Sequence, residues 1–245
     1  MQSIDSTSLH ARRELLAGRL PPRPIAFVAT EQTGGIGQHG RPWSSPRGGL
    51  WLTLTWPLLS PARTPPPTTI AIALGVAACN AINGQLDLAG ATDRAQLKWP
   101  NDLMLADRKV GGILLELVPH EGYTVLFVGI GINVSVVPSD LKPGAQVTAG
   151  SLNSVLPPNA HPIELAPLQA EVIRALTRTL HSPPADQRTV PAARALQWGL
   201  GRVVNVSLPD GSKVAGKIRG ISDSGELLAE IDGQLRAIPS AGQLG

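Results

Sequence analysis

The sequence predicts an α+β protein: a mixed, largely antiparallel sheet backed by helices, with a small SH3-like β-barrel at the C-terminus. Three observations point there. Short apolar runs separated by turn residues fill residues 95–130, which is the pattern of successive hairpins. The stretch Ile70–Ile82 is Ala-rich and apolar at nearly every position, so it reads as a buried central helix. After Trp198 the composition shifts to about 45 residues of short strands broken by Pro209-Asp210-Gly211, Asp223-Ser224-Gly225 and Asp232-Gly233. The boundary is placed near residue 197, giving units 1–197 and 198–245.

Taken in order, residues 9–19 predict a short amphipathic helix ended by Pro21, Pro22 and Pro24. Ile25–Thr30 is a strand, then comes the glycine-rich stretch Gly34–Gly40, then the alternating strand Leu50–Trp56. The prolines from Pro61 to Pro67 deliver the chain to the central helix, with Thr68 or Thr69 as its N-cap. Ala95–Trp99, Met104–Ala106, Ile113–Pro119 and Thr124–Ile130 are strands, with hairpin tips at Asp107-Arg108 and Glu121-Gly122. Pro138–Pro162 is a loop with a short helical piece, and Glu164–Leu180 is an amphipathic helix. Arg202–Leu208, Lys213–Ile221, Glu226–Ile231 and Gln234–Ile238 are the strands of the predicted barrel.

Composition removes several classes of function. At 245 residues, 42% hydrophobic and 16% charged, the chain can build a sizeable core and is no disordered polymer. Gly and Pro make 49 of 245 residues, which suits many turns without reaching low complexity. The net charge of +3 is spread along the chain, with no basic run interleaved with aromatics to grip nucleic acid. Cys79 is the single cysteine, so an intramolecular disulfide is impossible, and the five His lack metal-ligand spacing. No signal-peptide pattern opens the chain, and no uninterrupted apolar run reaches about 18 residues. The expectation is a cytoplasmic protein with no membrane span and no bound metal of its own.

Four segments could carry chemistry. Gly35-Ile36-Gly37-Gln38-His39-Gly40 matches G-x-G-x-x-G, but Pro42, Pro46 and the following strand leave no helix to open there, which argues against a dinucleotide fold. An anion-binding loop, with glycine N–H groups and the Arg41 fork as donors, and a plain surface loop both stay open. Lys98-Trp99-Pro100-Asn101-Asp102 gathers a lysine, an amide and a carboxylate at one strand end, with Pro100 fixing the turn. Read alone, it is equally an ordinary turn with a solvated lysine. Lys109-Val110-Gly111-Gly112 and Gly129-Ile130-Gly131-Ile132-Asn133 put small residues inside strands, which together suggest a narrow slot lined by backbone.

In this order and spacing, Asp5-Ser6-Thr7, the loop ending Gly40-Arg41-x-Trp43, Lys98–Asp102, Lys109-x-Gly111-Gly112-Ile113-Leu114-x-Glu116 and Gly129-x-Gly131-x-Asn133 resemble the biotin protein ligases, over nearly the whole chain. The resemblance implies a ligase that activates biotin with ATP as biotinyl-5′-AMP, then passes biotin to a lysine of the biotin carboxyl carrier domain of acetyl-CoA carboxylase. Mg²⁺ would accompany ATP. The first step joins a carboxylate to a polyphosphate, and fixed cations offset the repulsion: opposite unit charges about 4 Å apart gain about 4 kcal/mol at an effective dielectric near 20. The resemblance assigns catalysis to Lys98 and Arg41, with Lys109 nearby. It assigns biotin to Ser6, Thr7, Ser8, Gln32, Ile36, Gly37, Gln38, Lys98 and Gly112, and ATP to Arg41, Trp43, Asn101, Lys109 and Asn133. Asp102 could orient Lys98 or the incoming lysine.

Because the Asp5-Ser6-Thr7 block begins at once, no DNA-binding domain and no DNA partner are expected; a monomer and a homodimer both remain open. The alternatives are a lipoate-type ligase, separable by thermal shift with biotin against lipoate, and a weakened biotin-binding relative, separable by pyrophosphate release. The chain departs from the family in three places. Ile36 and Gln38 replace two of the arginines of the usual Gly-Arg-Gly-Arg-x-Gly-Arg loop, Ser8 replaces a common asparagine, and the ending is reduced to Gly242-Gln243-Leu244-Gly245. Fewer loop cations should hold the adenylate less tightly, so faster release of biotinyl-AMP is expected than from relatives with the full loop. Free biotinyl-AMP measured without acceptor checks this, and retention equal to theirs would refute it.

Overall fold

The structure is a computed structural model that describes residues 2–58, 68–138, 147–182, 188–208 and 211–239. The Pro61–Pro67 cluster, the Pro209-Asp210 part of one predicted turn and the Gly242–Gly245 ending lie outside these.

The chain runs β1 (Ser3–Ile4), α1 (Thr7–Leu16), β2 (Ile25–Ala29), β3 (Glu31–Gln32) and β4 (Gly49–Leu58), then α2 (Thr68–Leu88). Next come β5 (Gln96–Lys98), β6 (Asp102–Leu105), β7 (Arg108–His120) and β8 (Tyr123–Asn133). Helices α3 (Leu165–His181) and α4 (Thr189–Ala195) precede β9 (Val203–Ser207), β10 (Lys213–Ile221), β11 (Leu227–Ile231) and β12 (Gln234–Ile238). Strands β2-β4-β8-β7-β6-β5, in that order, form one antiparallel sheet, and β1 and β3 make a small parallel pair.

Strand alternation sends two sets of side chains to opposite faces of this sheet. Leu50, Leu52 and Leu54 of β4, with Val128, Ile130 and Ile132 of β8, join the main core beneath α2 and α3. On the other face, α1 buries Thr7, Ala11 and Leu15, spaced four apart on one stripe, and packs on Val118, Val125 and Phe127. Helix α2 is long and apolar enough to cross a membrane by length and composition, although the sequence shows no uninterrupted apolar run of that size. Most of it is buried in the main core, between the sheet, α3 and α4.

Several boundaries differ from expectation. Helix α1 starts at Thr7, two residues early, because Ser6 caps it by accepting from the Leu9 N–H. It ends before Gly18, whose φ of 65° turns the chain before any proline is reached. Thr68 and Thr69 are themselves helical residues of α2 and do not precede it as caps. The first hairpin tip lies at Ala106-Asp107, one residue early, where both residues are left-handed. Helix α4 was not foreseen; seven residues give too short a pattern to read.

The C-terminal strands pair as an open antiparallel sheet, β12-β11-β10-β9; among the described residues no pairing of β9 with β12 closes the predicted barrel. This sheet is welded to the rest. Ile221 belongs to the main core, Trp99 Nε1 donates to the Gly225 carbonyl at 2.9 Å, and Trp198 N and Leu196 O pair with Leu97.

Two glycines in α2 test how local propensity and packing compete. An alanine Cβ at Gly84 meets nothing within 4 Å, so Gly84→Ala should stabilise by about 0.5–1 kcal/mol from helix propensity. A Cβ at Gly75 would lie 2.6 Å from Cδ1 of the buried Leu97, so overpacking costing about 1–3 kcal/mol should outweigh the same propensity gain and make Gly75→Ala destabilising by about 0.5–2 kcal/mol net. Denaturant unfolding of both variants checks the opposite signs.

Candidate active site

The site begins with a row of directly paired residues across the sheet: Lys98 (β5), Asp102 (β6), Gly112 (β7), Gly131 (β8) and Trp51 (β4). Partners in such a row point to one face. Gly112 and Gly131 leave the middle of the row flat, and the Trp43 indole lies over them. A Cβ at Gly131 would sit 2.5 Å from Trp43 Nε1, and one at Gly112 would sit 3.5 Å from the ring. Gly111 belongs to the opposite face, where an added Cβ would strike the Gly131 carbonyl and Leu103, so only half of the predicted Gly-Gly pair faces the slot.

Lys109 reaches this face through a β-bulge. Leu103 pairs with Gly111 but Met104 pairs with Lys109, so Val110 is an extra residue and Lys109 is turned onto the Gly112 side. There the Asp102 carboxylate lies between two ammonium groups: Oδ2 is 3.1 Å from Lys98 Nζ and Oδ1 is 2.5 Å from Lys109 Nζ. Lys109 Nζ also stands 5.2 Å from the centre of the Trp43 ring, in cation–π range. Trp99-Pro100 is a cis peptide, and buried Asn101 donates from Nδ2 to the Ile113 carbonyl at 2.5 Å.

At the other end, Gln32 is a hub. Its Oε1 accepts from the Thr7 N–H at 2.8 Å and from Thr7 Oγ1 at 3.0 Å, and its Nε2 donates to Ser45 Oγ at 2.8 Å. With the Thr7 hydroxyl proton committed to Gln32, Thr53 Oγ1 is the donor in their 2.8 Å contact. Ser8 Oγ donates to Glu116, which also pairs with Arg12. Thr53 and Ser45 were not singled out from the sequence, since their place follows only from sheet register.

The glycine-rich stretch folds back on itself as a small hairpin. Gly37 N–H donates to the Arg41 carbonyl and Trp43 N–H to Gly35, while Gly34 N–H is used by Asp5. Two of the glycine amides foreseen as anion donors are therefore consumed internally. Gly35 is required by close approach, since a Cβ there would lie 2.3 Å from the Trp43 carbonyl oxygen. Arg41 is exposed on the cavity side and has no ion-pair partner among the described residues.

All the residues foreseen for the site line one cavity of about 980 Å³: Ser6, Thr7, Ser8, Gln32, Ile36, Gly37, Gln38, Arg41, Trp43, Lys98, Asn101, Lys109, Gly112 and Asn133. The C-terminal sheet also contributes to the wall, through residues that include Asn205, Ser207 and Lys213, with Gln197 at the junction, none of which the sequence reading placed there. Among the described residues, four buried polar side-chain atoms lack a partner: Gln38 Nε2, Trp43 Nε1, Asn133 Oδ1 and Gln197 Oε1. Each such group costs about 1–3 kcal/mol in a folded protein, and all four belong to residues lining this cavity. With four cations and one carboxylate among its described lining residues, the cavity suits an anion.

The biotin/lipoate A/B protein ligase family matches residues 2–133, and the biotin protein ligase C-terminal domain matches residues 199–242. The chain belongs to the biotin/lipoate A/B protein ligase family. It is 30% identical to the bifunctional ligase/repressor BirA of Bacillus subtilis (strain 168), over 92% of this chain and 67% of that one. It is 31% identical to the biotin–[acetyl-CoA-carboxylase] ligase of Paracoccus denitrificans, with 87% of each covered. The chain spans 63% of the length of the Salmonella typhimurium BirA, to which it is 32% identical. In fold it is similar to the biotin protein ligase of Aquifex aeolicus solved with biotin and ATP, at a TM-score of 0.76 and 23% identity, covering 99% of this chain and 95% of that one.

The C-terminal sheet is latched beside the site by Asp107, which accepts from Trp198 Nε1 at 2.9 Å and from the Arg202 guanidinium at 3.1 Å. Hydrogen bonds from Arg202 first, then Trp198, hold the Asp107 carboxyl below its ordinary value. With the folded pKa depressed, the unfolded chain binds the proton more readily, so this contribution is present above the ordinary carboxylate pKa near 4 and fades as pH falls through the folded value. Asp107→Asn should therefore lower stability at pH 7, with the gap to wild type closing as pH drops below about 4. Denaturant unfolding at pH 7, 5 and 3.5 checks it.

Proposed function

We propose that the chain is an ATP-dependent biotin–protein ligase. It joins the biotin carboxylate to the α-phosphate of ATP, releasing pyrophosphate, and transfers the biotinyl group to a lysine of the biotin carboxyl carrier domain of acetyl-CoA carboxylase. The observation that carries this reading is the lysine pair, Lys98 and Lys109, held on either side of one carboxylate beside the Trp43 indole. A reaction between two anions needs such fixed positive charge where charge develops.

In this reading the Ser6–Ser8 helix start, Gln32, Gly37, Gln38 and Gly112 bound the biotin end, and Ile36 supplies apolar cover. Trp43, Asn101, Lys109 and Asn133 bound the nucleotide end, where the free Asn133 Oδ1 and Trp43 Nε1 suit a nucleotide's polar edges. Lys98 acts as a point charge at the carboxylate and α-phosphate, and Arg41 as a fork on phosphate oxygens. Mg²⁺ fits here as a companion of the ATP phosphates: Asp102, the one acidic side chain among the described lining residues, is already tied to two lysines. The metal would supply further charge neutralisation on the phosphates. We assign residues 1–197 to the catalytic unit and 198–245 to the C-terminal unit. The enzyme is placed in the cytoplasm, as a monomer or homodimer, acting on a protein partner and not on DNA or a membrane.

The test is incorporation of labelled biotin into a purified carrier domain. Wild type should label the carrier in an ATP-dependent way, and Lys98→Ala should reduce the rate about 100-fold or more. Absence of labelling by wild type, with biotin, ATP and Mg²⁺ present, would overturn the reading.

A further inference from the structure

The cavity floor continues past the Gly112–Gly131 row toward a charged group with no part in the chemistry proposed above. Strand alternation puts Gly112, Leu114 and Glu116 of β7 on one face, and the next row across the sheet is Leu114, Gly129 and Thr53. Leu114, Gly129 and Thr53 line the cavity; Glu116 lies one row further on and is not among its described lining residues. Its carboxylate is divided between two residues of α1. Oε1 stands 3.1 Å from Arg12 Nη2, and Oε2 accepts from the Ser8 hydroxyl at 2.9 Å. The Arg12 guanidinium also stands 6.0 Å from the ring centre of Phe127, the residue paired directly with Glu116. Ser8 does line the cavity, so Glu116 reaches the site through it.

A hydroxyl is a rotor that donates or accepts according to what stands beside it. A carboxylate only accepts, so Ser8 gives its proton to Glu116 and turns lone pairs toward the cavity. The neighbouring hydroxyls are set the same way by neutral partners: Thr53 donates to Thr7, and Thr7 donates to Gln32. Ser8, Thr7 and Thr53 thus form a wall of acceptors, which a guest meets with N–H groups. Ser8 is the one of the three whose proton goes to a charged group, and such a bond strengthens its oxygen as an acceptor. We propose that Glu116 is a specificity-determining positioning residue: by taking the Ser8 proton it fixes Ser8 Oγ as the acceptor for a ring N–H of the substrate. This rests on the ligase reading above, in which the ring is the cyclic urea of biotin with its two N–H groups. The dithiolane ring of lipoate has no N–H, so the same wall leaves its acceptors unpaired and works against that ligand.

The experiment measures the biotin Kd of Glu116 variants by titration calorimetry, in the wild-type and Ser8→Ala backgrounds. Biotin-dependent ATP–pyrophosphate exchange by wild type reports on the ligase reading by itself, and its absence would sink that reading before Glu116 is in question. In Glu116→Gln, Arg12 claims the amide oxygen and leaves the NH₂ group facing Ser8. The hydroxyl then accepts from it and turns its proton to the cavity, the wrong polarity for a ring N–H. In Glu116→Ala the hydroxyl is a free rotor. The isosteric Gln variant should therefore weaken biotin more than Ala does, by about 10-fold or more against about 3-fold. A structural role gives the opposite order, since Gln keeps the side chain's shape and Ala loses it. That order, or an unchanged Kd in both variants, would overturn the proposal. In the Ser8→Ala background both substitutions should leave the Kd within about 2-fold of the Ser8→Ala parent, and an undiminished loss there would count equally against it. Glu116→Ala in the two backgrounds carries the test if the Gln variant does not fold.

Discussion

The site depends on the flat floor that Gly112 and Gly131 make in the middle of the sheet. Directly paired on neighbouring strands, they let the Trp43 indole approach the backbone, and the indole in turn stands beside the Lys109 ammonium. A methyl group at Gly131 would overlap the indole at 2.5 Å, a distance no repacking of an aromatic ring absorbs without moving the loop that carries it. That loop holds its own shape through the Gly35–Trp43 and Gly37–Arg41 backbone bonds. The floor, the ring and the loop therefore act as one piece.

The same row explains how three charged side chains come to share one spot. Lys98 and Asp102 face each other across the short β5–β6 pair, and the extra residue Val110 swings Lys109 onto the same face. Bringing two ammonium groups together is unfavourable unless a counter-charge stands between them. Asp102 is that counter-charge, and it also restrains two long side chains that would otherwise keep about 2 kcal/mol of rotamer entropy each. Some of the attraction is lost to solvent, since all three side chains are partly exposed. What remains is preorganisation of charge more than stability.

Much of this was legible because the chemistry sits in contiguous motifs. Lys98-Trp99-Pro100-Asn101-Asp102 and Lys109–Gly112 each lie on one hairpin, so spacing alone brings them near each other. The elements themselves were readable where their patterns were long, as in α2, α3 and β8. What escaped depends on register or on distant contacts. Nothing in Lys109-Val110-Gly111 announces that Val110 is the bulged residue, and without the bulge Lys109 would fall on the other face. Thr53 and Ser45 look like ordinary strand and loop hydroxyls until β4 is laid beside β8 and Gln32 reaches across. The SH3-like C-terminal unit was legible from strand count and turn spacing, and its four strands pair antiparallel as β12-β11-β10-β9; closure into a barrel is not among the pairings of the described residues.

The C-terminal sheet has a more direct hold on the chemistry than its separate composition suggests. Two residues flanking Lys98 carry much of the connection. Leu97 exchanges backbone hydrogen bonds with Leu196 and Trp198, and Trp99 donates its indole N–H to Gly225 in the turn between β10 and β11. Lys98 lies between these two anchors, so its backbone is pinned on both sides by residues at or beyond the junction. On the neighbouring hairpin, Asp107 takes the Trp198 indole and the Arg202 guanidinium two residues from Lys109. Both lysines of the site are thus braced by the C-terminal unit through their own strands. A loosened C-terminal sheet would shift the Lys98 and Lys109 ammonium groups relative to Trp43 without touching any residue of the cavity floor, and electrostatic preorganisation is sensitive to such displacements.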